Sequence, residues 1–302
     1  MSQPKIQTLS ADIYGVLDAT VEHTPDADRA AHYAMNIGGA FAKATLKRDK
    51  PREMGKLWAS DLGKKCLRQS WYKFNKPMVE APLTGNTKFK FLYGNILEEA
   101  VLYLAEEAGH VVAYPQERVE TIIKDWDVTG KIDCTIDGVL VDVKSTSSYG
   151  FTRYKHGINA SNDSFGYLQQ LAFYSRHGTF PHDGSQQGFV WIDKQNGHIQ
   201  YTSAPVENRA SIDGRAVAII DAVECKAETL VPKGYTPEPY GKSGNEALGV
   251  ACSYCPFKKE CWKTSNGGRG LRTFLYNNRP VDFTSVVRTP RVTEITVCVS
   301  TT

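Results

Sequence analysis

The chain has 302 residues, with 36 basic and 33 acidic side chains and a formal net charge of +3. This length suits one large domain or one domain with appendages, and so mild a charge does not by itself indicate a nucleic-acid partner. No apolar run approaches the roughly 20 residues of a membrane span. The polar first residues contain no signal-peptide core, so we expect a cytoplasmic protein with no membrane partner. In that reducing compartment, the seven cysteines are expected to be core residues or ligands rather than disulfides.

The first half of the chain is expected to place helices before strands. Ala30 to Lys47 is Ala-rich and helical in character, and residues 56–75 are basic and aromatic around Cys66. An apolar stripe predicts a helix from Phe91 to Gly109, where glycine ends it. Residues 111–144 alternate and turn in the manner of several strands.

The second half repeats this order. We predict a helix over 164–176 with Asp163 as its cap, a hairpin over 188–193 and 198–201, and a helix over 211–229. A Pro/Gly-rich connector leads to the last cysteines, and residues 265–302 are β-prone but remain unassigned. Helices that alternate with groups of strands predict a mixed α/β domain.

The stretch 130–144 is predicted to be a β-hairpin, because Asp137-Gly138 is a favoured two-residue turn. Counting outward from this turn in a regular hairpin sets Asp133 directly across from Asp142. Ile132, Cys134, Ile136, Val139, Val141 and Val143 share the apolar face. Asp133, Asp142 and Lys144 share the other face. Opposed carboxylates repel, and a divalent cation would turn that repulsion into coordination. The alternative is a solvated polar face.

Two further pairs flank the hairpin. Gly94 and Glu98 lie in the preceding helix, and Gln170 and Tyr174 lie one turn apart in the following helix, where they share a face. In chain order, the four elements are Gly94/Glu98, Gly130/Asp133, Asp142/Lys144 and Gln170/Tyr174. Together they resemble the PD-(D/E)xK nucleases, specifically the RecB-like branch. The resemblance extends from Gly94 to Tyr174.

This resemblance implies a restriction-endonuclease-like mixed sheet flanked by helices, and a DNA nuclease that depends on Mg²⁺ or Mn²⁺. It implies that Glu98, Asp133, Asp142 and the Val143 carbonyl hold metal. Lys144 would orient the attacking water, and a metal would lower the pKa of that water. Gln170 and Tyr174 would position the substrate or a loop. Glu99 is the alternative to Glu98, and core packing is the alternative role for Tyr174.

The remaining cysteines form a second pattern. Cys252, Cys255 and Cys261 follow the spacing C-x(2)-C-x(5)-C, and four-thiolate sites hold zinc or an iron–sulfur cluster. Cys66 is the best candidate for the fourth ligand. One cysteine before the motifs and three after them is similar to the iron–sulfur RecB-like nucleases, which include the AddB nuclease and the CRISPR-associated RecB-like exonucleases. The resemblance implies a 4Fe–4S cluster, with zinc as the alternative.

These interpretations give a domain plan. Residues 1–50 would be an N-terminal helical segment, 51–264 the nuclease domain, and 265–302 a tail of unknown structure. A cysteine-cluster subdomain would join the N- and C-terminal segments, leaving Cys134 in the core and Cys225 and Cys298 unligated. The basic and aromatic residues 64–74 suit stacking with single-stranded DNA or packing beneath the cluster, and the two alternatives remain open.

The function expected from the resemblance is an exonuclease that hydrolyses DNA from its ends in recombination, repair or CRISPR adaptation, including in a phage. Its partners would be single-stranded DNA or duplex ends, together with a helicase, a recombinase or a CRISPR-adaptation protein. Two alternatives remain, a DNA-end-binding or scaffold subunit and a site-specific endonuclease.

Overall fold

The computed structural model describes residues 5–20, 22–46, 52–81, 83–206 and 210–295. Its internal contacts divide the chain into two compact units, and each unit is built from two separate segments. The first unit comprises Met1–Lys64 and Leu83–Val217, and the second comprises Lys65–Pro82 and Ala218–Thr302.

The first unit contains most of the helices and eight strands of the described chain. Its helices are α1 (Leu9–Leu17), α2 (Ala27–Leu46), α3 (Ala59–Leu62), α5 (Gly85–Glu107), α6 (Ser148–Tyr154) and α7 (Tyr167–His177), with α4 (Leu67–Asn75) belonging to the second unit. Its strands are β1 (Lys56–Trp58), β2 (Val112–Ala113), β3 (Arg118–Ile123), β4 (Trp126–Lys131), β5 (Cys134–Ile136), β6 (Val139–Thr146), β7 (Gln187–Asp193) and β8 (Ile199–Ser203).

Two mixed sheets organise the first unit. The larger has the order β2-β5-β6-β7-β8, with β6 and β7 parallel and the other neighbours antiparallel. The smaller has the order β1-β4-β3. Helices and mixed sheets of this kind confirm the predicted α/β class.

The core of the first unit lies under one face of the larger sheet. The apolar hairpin face predicted from sequence is buried as expected, and α1 and α5 pack against it. Leu140 and Thr135 are also buried, although they lie on the opposite face. Both faces of this hairpin are therefore covered, so the acids on its polar side do not lie on an open surface.

The predicted elements of the first unit are present with shifted ends. The predicted helix at Phe91 begins six residues earlier, because Thr84 caps the amide of Thr87. It ends before Gly109, which adopts the left-handed φ of 87°. Asp163 accepts amide hydrogens at the start of α7, as its predicted capping role requires. Strands β7 and β8 form the predicted hairpin.

The second unit combines α4 with the C-terminal elements. The helix α8 (Ile212–Glu224) crosses the boundary between the units, and it ends five residues before the predicted position. The later helices are α9 (Val250–Ser253), α10 (Lys258–Cys261) and α11 (Ser265–Gly268), and the strands are β9 (Glu238–Pro239), β10 (Glu246–Ala247), β11 (Arg272–Tyr276), β12 (Arg279–Ser285) and β13 (Glu294–Ile295). These strands form one sheet in the order β13-β11-β12-β10-β9.

Within the described residues, none of the helices has the length and apolar character that a membrane crossing requires.

Candidate functional site

The hairpin β5–β6 has the predicted turn and the predicted register. Asp137 and Gly138 adopt positive φ values of 52° and 78°, and Ile136 pairs with Val139 and Thr135 with Leu140. The pairing ends at Cys134, opposite Val141, so Asp133 lies just outside the strand.

Asp133 therefore does not face Asp142 across a regular ladder, contrary to the sequence-based expectation. Its carboxylate instead accepts the backbone N–H of Val143, with 2.7 Å between Oδ2 and the nitrogen. The backbone pairing between β5 and β6 stops before Asp133. The Asp133 carboxylate therefore accepts the Val143 amide hydrogen in place of a backbone carbonyl of the opposite strand. The acid still reaches β6 beside Asp142, by a different route from the one predicted.

Lys144 lies between the two carboxylates. Its Nζ is 2.5 Å from Asp142 Oδ2 and 4.0 Å from Asp133 Oδ2. Asp142 is almost fully buried, whereas the Lys144 side chain keeps 23% of its surface exposed. The backbone carbonyl of Val143 lies 3.5 Å from Lys144 Nζ, which is consistent with a carbonyl oriented towards the polar side. Its predicted role as a metal ligand stays a prediction.

Glu98 comes to the same place from α5. One turn earlier, a Cβ on Gly94 would lie 3.2 Å from Ser145 Oγ, so glycine allows the helix to pass close to β6. Glu98 Oε1 accepts a hydrogen bond from Gln116 Nε2 at 3.2 Å. The neighbouring Glu99 is hydrogen-bonded by Asn36 of α2. Of the two adjacent acids, Glu98 is the one that faces the hairpin.

Helix α7 supplies the phenol and amide predicted from sequence. Gln170 Nε2 donates to Tyr174 Oη at 3.1 Å, and Tyr174 is buried. A Cβ on Gly130 would lie 2.7 Å from the Tyr174 ring, so the glycine of this motif makes room for the tyrosine. Tyr174 therefore packs against β4 while its hydroxyl stays bonded to Gln170.

Tyr167 and Gln116 belong to this neighbourhood and were missed by sequence reasoning. Lys144 Nζ lies 5.6 Å from the centre of the Tyr167 ring, within cation–π range. Tyr167 lies three residues before Gln170, so helical spacing could have placed it on the shared face. Gln116 lies in a turn and has no such spacing signal.

The crowding of these charges changes their protonation. Burial, and then the negative charge of Asp133, raises the pKa of Glu98 to about 9. Burial likewise raises the pKa of Asp142 above its ordinary value, although Lys144 opposes this shift. For Lys144, burial disfavours the charge, but the two aspartates outweigh it and raise its pKa above the usual range. The lysine is therefore a cation at neutral pH.

The acidic site has features expected of a divalent-cation site. Asp142 Oδ1 is buried without a hydrogen-bond donor among the described residues, and such an oxygen is a ready ligand for a hard cation. Across the described ranges, no group of three or more His, Cys, Asp or Glu side chains is arranged to hold an ion as it stands. The ammonium of Lys144 occupies the space between the aspartates, so ion binding requires this side chain to move.

The four cysteines singled out by sequence line one cavity of the second unit. Cys66, Cys252, Cys255 and Cys261 line the same small pocket, together with Tyr72, Phe257 and Trp262. Cys66 immediately precedes α4. None of the described cysteines forms a disulfide. The four residues are those predicted as ligands of an iron–sulfur cluster or zinc. Within the described residues their positions do not yet form a group that could hold an ion, so binding requires the cysteines to rearrange.

The segment 233–235 closes this cavity beside Cys66. The amide of Gly234 donates to Cys66 Sγ at 3.3 Å, and Lys233 Nζ lies 3.6 Å from the centre of the Trp262 ring. Burial raises the pKa of the Cys252 thiol to about 11, while Lys233 opposes that shift. Amide and ammonium donors of this kind stabilise thiolates, the form that binds metal.

The aromatic residues of α4 face inward. Trp71, Tyr72 and Phe74 are buried, and Tyr72 stacks on Phe257 with 5.7 Å between ring centres. Of the two open alternatives, the structure thus supports packing beneath the cysteines over stacking with DNA. Cys134 is buried in the core as predicted, Cys225 packs beside Trp71, and Cys298 lies outside the described residues.

Comparisons with known proteins are uninformative. No family model matches the chain, and no curated protein matches it. Among solved structures, the chain is similar to one described as "Crystal structure of SSO0001", with 13% identity and a TM-score of 0.43 over 74% of this chain and 93% of that one. A similarity this weak carries no argument about fold or function.

Proposed function

We propose that the chain is a metal-dependent DNA nuclease of the RecB-like type that acts from DNA ends, with a restriction-endonuclease-like arrangement of its larger sheet. The observation that supports it best is the convergence on one half-buried site of Glu98 from α5, Asp133 from the start of the hairpin, and the Asp142/Lys144 pair from β6. Titratable groups with perturbed pKa values that meet in one place mark a candidate functional site, and acidic side chains are the ligands that hold the metal ions used in phosphodiester hydrolysis.

Each residue has a role that follows from its surroundings. Asp142, Asp133 and Glu98 would hold Mg²⁺ or Mn²⁺, which when bound lowers the pKa of a water and neutralises charge on the phosphate. Lys144 has a raised pKa and so cannot accept a proton at neutral pH. It acts instead as a donor that orients the attacking water and stabilises the negative phosphate oxygens.

Gln170 and Tyr174 support this site from α7. Burial raises the pKa of Tyr174 beyond the physiological range, so its hydroxyl stays protonated and acts as a hydrogen-bond partner. Because Tyr174 packs against β4 beside Gly130, the Gln170 amide is held at a fixed place on α7. This pair positions substrate or the neighbouring loop and does not transfer protons.

We also propose that Cys66, Cys252, Cys255 and Cys261 bind a 4Fe–4S cluster, with zinc as the second candidate. The support is their shared cavity and the nearby Gly234 amide and Lys233 ammonium. When bound, such a group would crosslink α4 to the segment 252–261, which closes a long loop and limits the freedom of the unfolded chain.

Digestion of end-labelled linear DNA and of closed circular DNA tests the nuclease proposal. With Mg²⁺ or Mn²⁺, we expect wild type to degrade the linear DNA and spare the circles, and Lys144→Ala to lose this activity by about 100-fold or more. Glu99→Gln is the matched control and should retain activity. Well-folded, iron-loaded wild type that cleaves neither DNA would contradict the proposal and favour a DNA-end-binding subunit.

A further inference from the structure

The first half of α5 carries exposed aromatic side chains that the acidic site does not use. Phe89 is 69% exposed and Phe91 is 58% exposed. The two rings lie on different sides of the helix. Residues seven apart share a helix face, so Phe91 lies on the face that carries Glu98 and Gly94. Phe89 lies about half a turn away, on the opposite side.

The position of Phe91 follows from the contact between α5 and β6. Gly94 approaches Ser145 near the carboxyl end of β6, and Phe91 lies one turn further along the same face, beyond that end. Tyr93, on another side of the helix, donates through its hydroxyl to the carbonyl of Lys194, just after β7. This part of α5 therefore runs past the carboxyl ends of the parallel pair β6–β7, where ligands of open α/β sheets bind.

A second exposed ring lies at the same edge. Tyr149, in α6 directly after β6, is 79% exposed. Helix α2 contacts α5 on a different stripe, through the Asn36–Glu99 hydrogen bond and the Tyr33–Tyr103 ring contact. The face that carries Phe91 is therefore not the one that α2 covers.

The charges beside Phe91 indicate what this face binds. Lys88 lies three residues before Phe91 and is therefore its neighbour on the helix surface. Lys90 directly precedes Phe91 in the chain and lies on the opposite side of the ring from Lys88. Both lysines are exposed. A flat apolar ring between two cations matches an unpaired nucleic-acid strand, whose bases stack on aromatic rings while its phosphates meet ammonium groups.

We propose that Phe91, with Tyr149, Lys88 and Lys90, forms a surface on which unpaired nucleotides stack as a strand enters the acidic site. This surface deepens the nuclease proposal and rests on it. With a rise of 1.5 Å per residue, Phe91 lies about 10 Å from Glu98 along the helix axis. Its ring therefore holds a nucleotide close to the one that is cut.

Binding without cleavage tests this surface. The probe is a fluorescein-labelled single-stranded oligothymidylate in Ca²⁺, followed by fluorescence anisotropy. Phe91→Ala should raise Kd by about 5- to 100-fold, the range expected for loss of one base–aromatic stack, and Tyr149→Ala should raise it in the same range. The matched control is Phe89→Ala, which removes a ring at least as exposed as Phe91 from the opposite face and should leave Kd unchanged.

A second probe separates stacking from other effects of the substitution. An abasic strand of the same length should bind wild type more weakly, and Phe91→Ala should cause no further loss, because the base that would stack is already missing. The proposal would be overturned if Phe89→Ala and Phe91→Ala weakened strand binding equally. It would also be overturned if Phe91→Ala weakened binding of the abasic strand as much as it weakens binding of the normal strand. A shift of oligomeric state in Phe91→Ala with unchanged DNA binding would overturn it too, and would indicate a contact between copies of the chain.

The binding assay is independent of hydrolysis. If wild type cleaves DNA and Phe91→Ala binds normally, the surface is wrong while the nuclease proposal stands. If wild type never cleaves DNA and Phe91→Ala still loses strand binding, the surface stands only as a strand-binding site, and both the nuclease proposal and the delivery of a strand for cutting fail. Circular dichroism melting of each variant confirms that the compared proteins are folded.

Discussion

At the scale of single residues, the protonation of Glu98 ties stability to pH. Its pKa is raised to about 9 by burial and by Asp133, against an ordinary value near 4.5. Between these values the folded state keeps a proton that the unfolded state has released. The unfolded state therefore binds fewer protons, and the free energy of unfolding falls as pH rises through this window.

We expect the melting temperature of metal-free wild type to fall as pH is raised from about 6 to about 9, and that of Glu98→Gln to fall less, because an amide does not titrate. Differential scanning fluorimetry in chelator-treated buffers measures this. The adjacent Glu99→Gln serves as control and should follow wild type. Parallel curves for all three proteins would show that Glu98 is not buried in its neutral form.

Gly234 offers a second test at this scale. A Cβ at this position would lie 2.7 Å from the Cα of Cys66, so Gly234→Ala must push the segment away from the thiol and break its N–H···S bond. We expect iron retention against a chelator to fall by about tenfold or more, as for other groups that support metal ligands.

Visible absorbance and iron content report the effect of Gly234→Ala directly. Gly214→Ala is the control, because nothing lies within 4 Å of the added methyl. Full iron loading of Gly234→Ala would rule out a supporting role for this amide.

At the scale of elements, the β5–β6 hairpin depends on Asp137. Its carboxylate binds His110 Nδ1 at 2.7 Å and accepts the amide of Val111 at 3.0 Å, while its backbone adopts a positive φ. We expect Asp137→Ala to lower the free energy of unfolding by about 2 kcal/mol, because it leaves the Nδ1 of the buried His110 without its partner and strains the turn.

Urea unfolding monitored by tryptophan fluorescence measures this loss. Asparagine keeps an oxygen acceptor and tolerates the left-handed backbone. The free energy of unfolding should therefore fall less in Asp137→Asn than in Asp137→Ala. Equal stability of wild type and Asp137→Ala would mean that the turn does not depend on this carboxylate.

The same hairpin shows what sequence can predict. Alternation and the Asp137-Gly138 turn were sufficient for its register and its buried face, because side-chain period and turn type are local properties. The route of Asp133 was not predictable, because it depends on where β4 ends and where β5 begins. The glycines of the motifs are explained only by the structure, since Gly94 and Gly130 allow contacts with residues that are distant in sequence.

At the scale of the whole molecule, the C-terminal strands could not be assigned from sequence. Strand β10 contains only two residues and exists through its pairing with β9 and β12, so no local pattern reveals it. The cysteine cavity is the opposite case. Its four cysteines come from both segments of the second unit. Spacing was sufficient to group Cys252, Cys255 and Cys261, because few residue types serve metal chemistry, whereas Cys66 was added through the family resemblance.

Ion binding should stabilise the folded chain. A ligand present at a hundredfold excess over its Kd raises the free energy of unfolding by about 2.7 kcal/mol. We therefore expect saturating Mn²⁺ to raise the melting temperature of wild type by about 5–10 °C. Asp142→Asn should show little or no rise, because it removes the buried charge of a proposed ion ligand. An equal rise in both proteins would place the ion elsewhere.

The two-segment construction of the second unit sets the order of events during synthesis. All residues of the acidic site belong to the first unit, which is fully translated once Val217 is made. Cys66 is translated early, but it must wait for Cys252, Cys255 and Cys261. At about 5–20 residues per second, that wait is roughly 10 to 40 seconds. A nascent chain therefore completes its carboxylate site first, and any cofactor can enter the cysteine cavity only after Cys261 has been made.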